Sequence, residues 1–281
     1  MNKTIGFLIT LMILLCICLA GCGLIEASNE RPQTPHTRYV ESHDGVQVGV
    51  PENPKRILAL SSAFDTILLG LIEPERLVGI NKLSTYEEYS LEAKRAKLVK
   101  PVMSSYPLEK IIALKPDLVI APDYISADVI SGLRHMGIAT VVVSSGSTVE
   151  GVIKNVTDVA HIIGEDEKGS FYKQKIRREL DELQRLGESI PPEQRKTVGY
   201  TGTGSLFYDM CKYMYVYNAP NRIGLPPRIP FGEERVIAMN PDYIFIPSYK
   251  GMDKNLADRY LLNPAFQNLP AIRENRVKPL P

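Results

Sequence analysis

The chain has 281 residues, of which 44% are hydrophobic, and its formal net charge is +1 at pH 7. This balance of charge excludes a typical nucleic-acid-binding domain, because such domains usually carry a basic surplus. A chain of this length with this hydrophobic content is long enough to bury the cores of two lobes.

The N-terminus has the pattern of an export signal. Lys3 supplies a positive charge, and the apolar run of residues 5–20 is short for a transmembrane helix, which needs roughly 20 apolar residues. The run ends in Leu19-Ala20-Gly21-Cys22, which resembles a bacterial lipobox. We therefore predict a signal peptide over residues 1–21 and a lipid on Cys22. A plain secretory signal or an uncleaved membrane anchor is the alternative.

The cysteine positions agree with this prediction. Cys16 and Cys18 would leave with the signal and Cys22 would carry lipid, which leaves Cys211 as the remaining cysteine. No internal disulfide is then possible, so the fold must be held by its hydrophobic core. Cys211 lies in an apolar stretch and is predicted to be a small buried residue rather than a nucleophile.

Short apolar segments and helical segments alternate through the first half of the chain. Residues 22–50 are polar and proline-containing, which predicts a flexible tether. Continuous apolar runs separated by helices then indicate a parallel sheet covered on both faces, an α/β fold. The predicted strands are residues 56–60, 77–80, 118–121 and 140–143.

Two helices follow the fourth strand. Ser147 and Glu150 have the spacing of a capping box and predict the start of a helix that stops at Gly164. The second helix, residues 167–186, is long and charged, and Pro191-Pro192 ends this region.

The predicted order of elements divides the chain into two lobes. An N-terminal α/β lobe covers residues 51–165, an inter-lobe helix residues 166–190, and a C-terminal α/β lobe residues 191–281. Such an arrangement leaves a cleft between the lobes, which is a preferred place for a ligand.

The two lobes share an internal repeat. Residues 109–122 align without gaps to residues 234–247, and both read as a short helix, a Pro-Asp turn and a buried strand. A weaker correspondence pairs residues 55–69 with residues 196–210. The repeat places Glu109 and Glu234 at equivalent corners of the two lobes. Chance similarity between two helix–turn–strand segments is the alternative.

Residues 51–281 are similar to the siderophore-, haem- and cobalamin-binding proteins of bacterial ATP-driven importers. The similarity is carried by residues 54–61, 108–121, 133–139 and 262–271, in that order and behind a lipobox. The resemblance implies two α/β lobes bridged by one long rigid helix, with the ligand held in a shallow cleft. We expect the protein to be a monomer. It also implies that one glutamate of each lobe docks onto arginines of the permease, and Glu109 and Glu234 match those positions.

The sequence departs from the family pattern in two places. Where a small residue and a glycine commonly precede an asparagine, this chain has a tyrosine-rich run from Tyr213 to Asn218. Relatives also usually continue into a further helix after the segment that ends at Leu280. We therefore expect an altered ligand-facing contour in the second lobe, and a lobe that is truncated or has one face uncovered.

The ligand is expected to contact loops at the ends of the strands. Fourteen tyrosines and no tryptophan are present, and tyrosine combines an apolar ring with a hydrogen-bonding tip, which suits a bulky, partly polar chelate. Arg222, Arg228 and Lys250 either balance the charge of an anionic chelate or are solvated. The predicted ligand-binding residues are Ser61, Ser62, Phe64, Tyr106, Tyr124, Tyr200, Thr201, Tyr208 and Tyr249.

The sequence predicts neither a metal site nor catalysis. No pair of the four histidines has a zinc-ligand spacing, so we expect no bare-metal site and no resident cofactor. The nucleophile elbow, the zinc-protease motif and the phosphate loop are all absent from the sequence, which disfavours a lipid-anchored hydrolase.

The predicted function is that of an extracytoplasmic substrate-binding lipoprotein on the cell membrane. It would capture a ferric siderophore and deliver it to the permease and ATPase of an ABC importer, without a nucleic-acid partner. Haem or cobalamin is the alternative cargo. A ligand sensor with the same fold is the alternative of another class.

Overall fold

A computed structural model of the chain describes residues 37–200, 205–225, 232–247 and 253–280. It shows two lobes, each built on a parallel sheet with helices packed against it, and one long helix between them. The α/β prediction is confirmed.

The first described element is an antiparallel hairpin formed by β1, Thr37–Glu41, and β2, Gln47–Pro51. Asp44-Gly45 lies in the turn, with Gly45 at φ 79°, and Asp-Gly is a typical hairpin turn. The valines of the hairpin are buried in the core of the first lobe: Val40, Val48 and Val50. The tether prediction is therefore wrong for residues 37–50, because valines on alternate positions form strands that pack onto the lobe.

The first lobe continues with alternating strands and helices. These are β3 Ile57–Ala59, α1 Ser62–Leu71, β4 Ile80–Asn81, α2 Ala93–Ala96, β5 Val102–Met103, α3 Leu108–Ala113, β6 Leu118–Pro122, α4 Ala127–His135, β7 Ala139–Val143 and α5 Val149–Ile163. The central sheet has the order β3-β6-β7, and every pairing in it is parallel. β4 pairs with β5 in parallel, and a parallel bridge between Ile57 and Leu77 lies beside them.

Both faces of the first-lobe sheet are buried, as the apolar runs predict. In β6, Leu118 and Ile120 belong to the core that contains α1 and α5. Val119 and Ala121, on the opposite face, belong to the core that contains α3 and α4. Since side chains of a strand alternate between its faces, a strand covered on both sides must be apolar at every position.

Helix α5 begins one residue later than the sequence pattern predicts. Its N-cap is Thr148, whose hydroxyl oxygen accepts a hydrogen bond from the N–H of Gly151 at 3.0 Å. The predicted capping box with Ser147 as its cap is therefore wrong, because the neighbouring threonine takes that role. The helix ends at Gly164, which has the left-handed φ of 78° that favours glycine.

The inter-lobe helix, α6, spans Asp166–Glu188, 23 residues and about 35 Å in length. Its two buried positions are glycines. A Cβ on Gly169 would lie 2.5 Å from the Cβ of Ala160 in the first lobe, and one on Gly187 would lie 1.9 Å from the ring of Tyr215 in the second lobe. Each end of the helix therefore packs too closely against one lobe to accept a side chain, which favours a rigid connection. Across the described ranges, no helix combines the length and hydropathy that a membrane crossing requires.

The second lobe repeats the plan of the first. Its elements are β8 Thr197–Tyr200, α7 Ser205–Tyr213, β9 Tyr217–Asn218, α8 Ala219–Arg222, α9 Glu233–Met239, β10 Tyr243–Pro247, α10 Asp253–Leu261, α11 Pro270–Arg273 and β11 Val277–Leu280. The strand order is β11-β10-β8-β9, again with parallel pairings.

The internal repeat is present in the backbone conformation. β6 and β10 occupy equivalent positions of the sequence alignment at both ends. The turns that precede them also match, because Lys115 and Asn240 are equivalent and have φ values of 48° and 40°. A left-handed φ is uncommon for a residue other than glycine, so chance similarity does not explain its occurrence at matching positions.

The Pro-Asp turn of each repeat has the same function. The carboxylate of Asp117 accepts a hydrogen bond from the N–H of Lys55 at 2.7 Å, just before β3. The carboxylate of Asp242 accepts one from the N–H of Thr197 at 2.7 Å, at the start of β8. In each lobe this aspartate ties the start of one central strand to the start of its neighbour, which fixes their parallel register.

Candidate functional site

The carboxyl ends of the first-lobe strands bring several predicted ligand residues together. Ser61 follows β3 and caps α1 by accepting a hydrogen bond from the N–H of Phe64 at 3.2 Å. Tyr124 follows β6, is 67% exposed, and shares a hydrogen bond with the Ser61 side chain. Ser62 is half-buried beside them. An exposed ring is thus held by a buried hydroxyl at the sheet edge, where a ligand of this fold class binds.

A second pair of residues lies at the ends of β4 and β5. Asn81 is the last residue of β4, and its side-chain amide donates a hydrogen bond to the hydroxyl of Tyr106 at 3.1 Å. The amide oxygen of Asn81 accepts a hydrogen bond from the N–H of Leu83 at 2.9 Å. Burial raises the pKa of Tyr106, and the nearby Asp65 raises it further, so this hydroxyl stays neutral at physiological pH.

Behind this pair lies a buried acid. Asp65 is fully buried, and its Oδ2 accepts hydrogen bonds from the N–H of Asn81 and the hydroxyl of Ser84, both at 2.8 Å. Its Oδ1 has no hydrogen-bond partner among the described residues. Burial raises the pKa of Asp65 to about 7, although its two hydrogen bonds act in the opposite direction.

Sequence reasoning missed both Asn81 and Asp65. Asn81 directly follows the strand predicted over residues 77–80, so the rule that selected Ser61 would also have found it. Asp65 lies three and four residues before Leu68 and Leu69, on the buried face of α1. An acid on the apolar face of a helix was therefore a usable signal.

Two predicted ligand residues belong to the core and not to a ligand surface. Phe64 is 2% exposed and packs in the first-lobe core, because the helix period places it on the same face as Leu68. Tyr208 is 8% exposed, and its hydroxyl donates a hydrogen bond to the carbonyl of Tyr200 at 3.2 Å. Burial raises the pKa of Tyr208 to about 12. For both residues the expected ligand contact is corrected.

The remaining second-lobe predictions are only partly described. Tyr200 ends β8, is half-buried, and stacks on Phe207 with ring centroids 4.7 Å apart. Thr201 and Tyr249 lie outside the described residues.

Arg222, one of the three cations considered for balancing an anionic chelate, lies at the amino edge of the second-lobe sheet. Arg222 donates a hydrogen bond to the hydroxyl of Thr197 at 2.8 Å and stacks over the ring of Tyr217. Thr197 begins β8, so Arg222 lies at the amino edge of the sheet and away from the strand ends, where the ligand contacts are expected. Arg228 and Lys250 lie outside the described residues.

The two repeat glutamates occupy matching helix starts. Glu109 lies in the first turn of α3 and Glu234 in the first turn of α9, and both side chains are exposed. Within the described ranges neither forms an ion pair, whereas the adjacent Glu233 accepts a hydrogen bond from Asn263 at 2.7 Å. Helices α3 and α9 end just before β6 and β10 enter the sheet at its amino edge, so the start of each helix, with its glutamate, lies towards the carboxyl edge. The predicted ligand residues Ser61 and Tyr124 lie at the same edge of the first lobe.

A polar cluster joins the lobes beside this edge. The Oδ2 of Asp209 in α7 accepts a hydrogen bond from the N–H of Val149, the first residue of α5, at 2.9 Å. The hydroxyl of Tyr213 donates to Glu150 at 3.3 Å, and Glu150 also pairs with Arg177 of α6. Elements of both lobes and the inter-lobe helix therefore meet at the N-terminus of α5.

We expect Asp209→Ala to lower the free energy of unfolding by about 1 kcal/mol at pH 7, because the start of α5 loses its acceptor. Hydrogen bonds from Lys212 and from the N–H of Val149 lower the pKa of Asp209. A carboxyl with a depressed folded pKa stabilises above its unfolded pKa and loses that contribution as pH falls through the folded value. The difference between the wild-type and variant urea midpoints should therefore shrink below about pH 4.

The matched control is Lys212→Ala, which removes only the exposed ion pair with Asp209. Its urea midpoint should stay close to that of the wild type, because exposed ion pairs contribute little. Equal losses in the two variants would show that the ion pair, and not the inter-lobe hydrogen bond, stabilises the fold.

Cys211 is a free cysteine with a buried side chain. Cys211 is 3% exposed, and burial raises the pKa of its thiol to about 12, so it is the small buried residue that the sequence predicts. Across the described ranges, no group of three or more histidine, cysteine, aspartate or glutamate side chains is placed to hold a metal ion.

A separate groove of about 680 Å³ runs between the hairpin and α5. Among its charged side chains, Lys154 pairs with Asp158, His161 lies 2.8 Å from Asp166 and His43 lies 3.9 Å from Asp123. The predicted ligand residues Tyr106 and Tyr124 do not line this groove.

Comparison with known proteins identifies close relatives of this architecture. Residues 57–281 match the family described as periplasmic binding protein. The chain is 24% identical over 262 residues to an uncharacterized ABC transporter substrate-binding lipoprotein, YvrC, of Bacillus subtilis, covering 87% of this chain and 81% of the relative. It is 22% identical over 296 residues to the Fe(3+)-citrate-binding protein YfmC of the same organism, covering 98% and 89%. The apo form of the periplasmic heme-binding protein RhuT from Roseiflexus has the same fold, with a TM-score of 0.69, 22% identity and coverage of 80% and 89%.

Proposed function

The chain belongs to the periplasmic binding protein family, and on that premise we propose that it is the extracytoplasmic substrate-binding lipoprotein of an ABC importer. Its cargo is a ferric siderophore or a related iron(III) chelate, which it delivers to the permease and its ATPase. It acts as a monomer held at the membrane by lipid on Cys22.

The observation that carries this proposal is the repeated placement of Glu109 and Glu234. Both lie in the first turn of equivalent helices, and both are exposed without an ion pair within the described ranges. A carboxylate at a helix N-terminus is stabilised by the helix dipole. Two fixed charges, one on each lobe, give a partner both register and orientation.

The ligand class is supported by the groups at the first-lobe edge. Tyr124 offers an exposed aromatic ring and Tyr106 a half-buried one that packs against the core, while Ser61, Asn81 and the tyrosine hydroxyls offer neutral hydrogen bonds. Such a surface suits a large chelate whose metal is already wrapped by its own ligands. Iron(III) citrate, the ligand in the name of YfmC, belongs to this class.

Haem is a second candidate because Tyr124 is exposed at the sheet edge, and tyrosine serves as an axial haem ligand in some proteins. Cobalamin is the third candidate. Thermal unfolding in the presence of each ligand distinguishes the iron(III) chelate, haem and cobalamin.

We expect one class of probe to raise the thermal unfolding temperature of the chain from residue 23 onward. The probes are ferric citrate, a ferric hydroxamate, haem and cobalamin, each with its metal-free form as a control. A ligand that binds only the native state adds about 2.7 kcal/mol of stability at 100 times its dissociation constant. No shift with any probe, in a chain that unfolds cooperatively, would contradict the proposed cargo.

A matched pair of variants locates the site. Tyr124→Ala should weaken the binding of the probe that shifts the wild type, whereas Tyr39→Ala should leave it unchanged. Tyr39 is 72% exposed on the hairpin of the same lobe, so it controls for the loss of an exposed tyrosine. Equal effects of the two substitutions on binding would show that the ligand does not bind beside Tyr124 at the carboxyl edge.

A further inference from the structure

The carboxyl group of Asp65 lies directly behind the ligand-facing edge of the first lobe. The residue belongs to the first turn of α1, whose N-cap is Ser61. Its Oδ2 accepts hydrogen bonds from both the N–H of Asn81 and the hydroxyl of Ser84. Since these two groups begin and end one short segment, the carboxyl fixes the whole of residues 81–84.

The segment held by Asp65 reaches the surface through Asn81. The side-chain amide of Asn81 donates to the hydroxyl of Tyr106, and its oxygen accepts from the N–H of Leu83. Movement of Asn81 would therefore free the Tyr106 hydroxyl and change the surface that faces the cleft.

The second oxygen of Asp65 is a further observation that the fold alone does not explain. Oδ1 is buried and has no hydrogen-bond partner among the described residues. A neutral carboxyl can keep its proton on Oδ1 while Oδ2 continues to accept both hydrogen bonds. An ionised carboxyl accepts the two hydrogen bonds at Oδ2 more strongly, but the cost of burying its charge is larger, because burial is the main cause of the raised pKa of Asp65. The charged Oδ1 has no partner among the described residues to offset this cost, which favours opening of the segment to water.

We propose that Asp65 is a positioning residue of the ligand site, which fixes Asn81 and Tyr106 when it is protonated and releases them when it is ionised. This inference rests on the proposed function, because that function assigns Tyr106 to the ligand site. Asp65 acts through Asn81 and does not contact the ligand itself.

The surroundings of Asp65 contain no compensating cation in the described part of the chain. Tyr106 is the titratable group that senses Asp65, and it remains neutral. Two lysines on elements packed against α1, Lys82 in the segment after β4 and Lys94 in α2, have exposed side chains. Other charged side chains around α1 are bound elsewhere: Arg95 to the carbonyls of Leu69 and Ile72, Lys168 to the carbonyl of Leu71, Lys154 to Asp158, His161 to Asp166, and Arg177 to Glu150. The carbonyls of Leu69, Leu71 and Ile72 lie at the opposite end of α1 from Asp65.

The direction of the pH dependence follows from the pKa of Asp65. Burial raises the pKa of Asp65 to about 7 in the folded chain, whereas the pKa of an aspartate in an unfolded chain is about 3.9. Between these values the folded chain holds a proton that the unfolded chain releases, so stability falls as pH rises through this window. The fixed arrangement of Asn81 and Tyr106 is accordingly favoured at low pH and is lost as pH rises through about 7.

The test compares the affinity for a ferric hydroxamate in wild type and Asp65→Asn from about pH 6 to 8.5. We expect wild-type affinity to fall several-fold over this range, and by no more than tenfold per pH unit, the limit for one proton. Asp65→Asn keeps a neutral acceptor for Asn81, so its affinity should not change with pH beyond any change in the chelate itself. Asp128→Asn, at an exposed acid of the same lobe, should follow the wild-type profile. Parallel profiles for wild type and Asp65→Asn would overturn the inference.

A measurement without ligand separates this inference from the proposed function. The backbone N–H resonance of Asn81 should shift with a midpoint near pH 7 in the wild type and should not titrate in Asp65→Asn. If the chelate binds but this resonance does not titrate, the role of Asp65 is wrong and the proposed function stands. If the resonance titrates but no probe binds, the cargo is wrong while the proton-controlled position of Asn81 stands.

Discussion

Charge reversal at both Glu109 and Glu234 is expected to abolish uptake of the chelate by cells while leaving the affinity of the purified protein unchanged. Each substitution to arginine replaces attraction to a cationic permease surface by repulsion between like charges. Loss of a charge partner at an interface costs enough to lower complex formation by about 100-fold or more. Because both side chains are exposed, the reversal should leave the fold intact.

Matched controls come from neighbouring glutamates. Glu233→Arg changes the same helix turn one residue earlier, at a side chain that already accepts a hydrogen bond from Asn263. Glu75→Arg changes an exposed glutamate in a turn just before Leu77, away from the carboxyl edge. Both controls should retain uptake of the iron-labelled chelate. Loss of affinity in the purified Glu109→Arg, Glu234→Arg protein would assign these residues to the ligand site, and unchanged uptake would refute docking through them.

Ligand capture and docking would share one edge of the fold for a topological reason. In parallel α/β units the loops after the strands and the starts of the following helices occupy the same edge. Tyr106, a proposed ligand residue, and Glu109, a proposed docking residue, are three positions apart in the sequence. A permease that contacts the helix starts would therefore also cover the ligand.

The α/β class and the repeat could be predicted because they depend on local patterns. Runs such as residues 118–122 are apolar at every position, which is typical of a strand buried on both faces. The Pro-Asp turns recur with the same spacing, and the structure places Asp117 and Asp242 in the same role.

Two features were not predicted from the sequence: the hairpin of β1 and β2, and the burial of Phe64. The hairpin was hidden by the polar composition of its surroundings, although its valines alternate and Asp44-Gly45 predicts a turn. The prediction of a ligand contact for Phe64 depends on its position shortly after the first strand, whereas the helix period of α1 determines that it is buried.

The partners within the site could not be predicted from local sequence. The contact between Asp65 and Asn81 joins a helix to the end of a strand 16 residues later, and that pairing depends on how α1 packs on the sheet. The link from Asn81 to Tyr106 spans a further 25 residues. Both contacts depend on tertiary packing, which sequence periodicity does not specify.

Cys22→Ser is expected to release nearly all of the protein from the membrane fraction. The prediction treats residues 1–21 as a signal that is removed and Cys22 as the site of lipid attachment. Burial of acyl chains contributes about 0.8 kcal/mol per methylene, so loss of the lipid removes the attachment that these chains provide. Sedimentation of membranes after a high-salt wash measures the bound fraction.

Two further cysteines provide the matched controls for this substitution. Cys16→Ser and Cys18→Ser change the same residue type within the apolar run, and both should leave the protein on the membrane, because the mature chain would not contain them. The mass of the mature N-terminus distinguishes the two anchoring mechanisms. A Cys22→Ser protein that stays bound and retains residues 1–21 would show that the apolar run anchors the chain as an uncleaved segment. Release of Cys22→Ser together with retention of both controls would assign the attachment to the single thiol that follows Gly21.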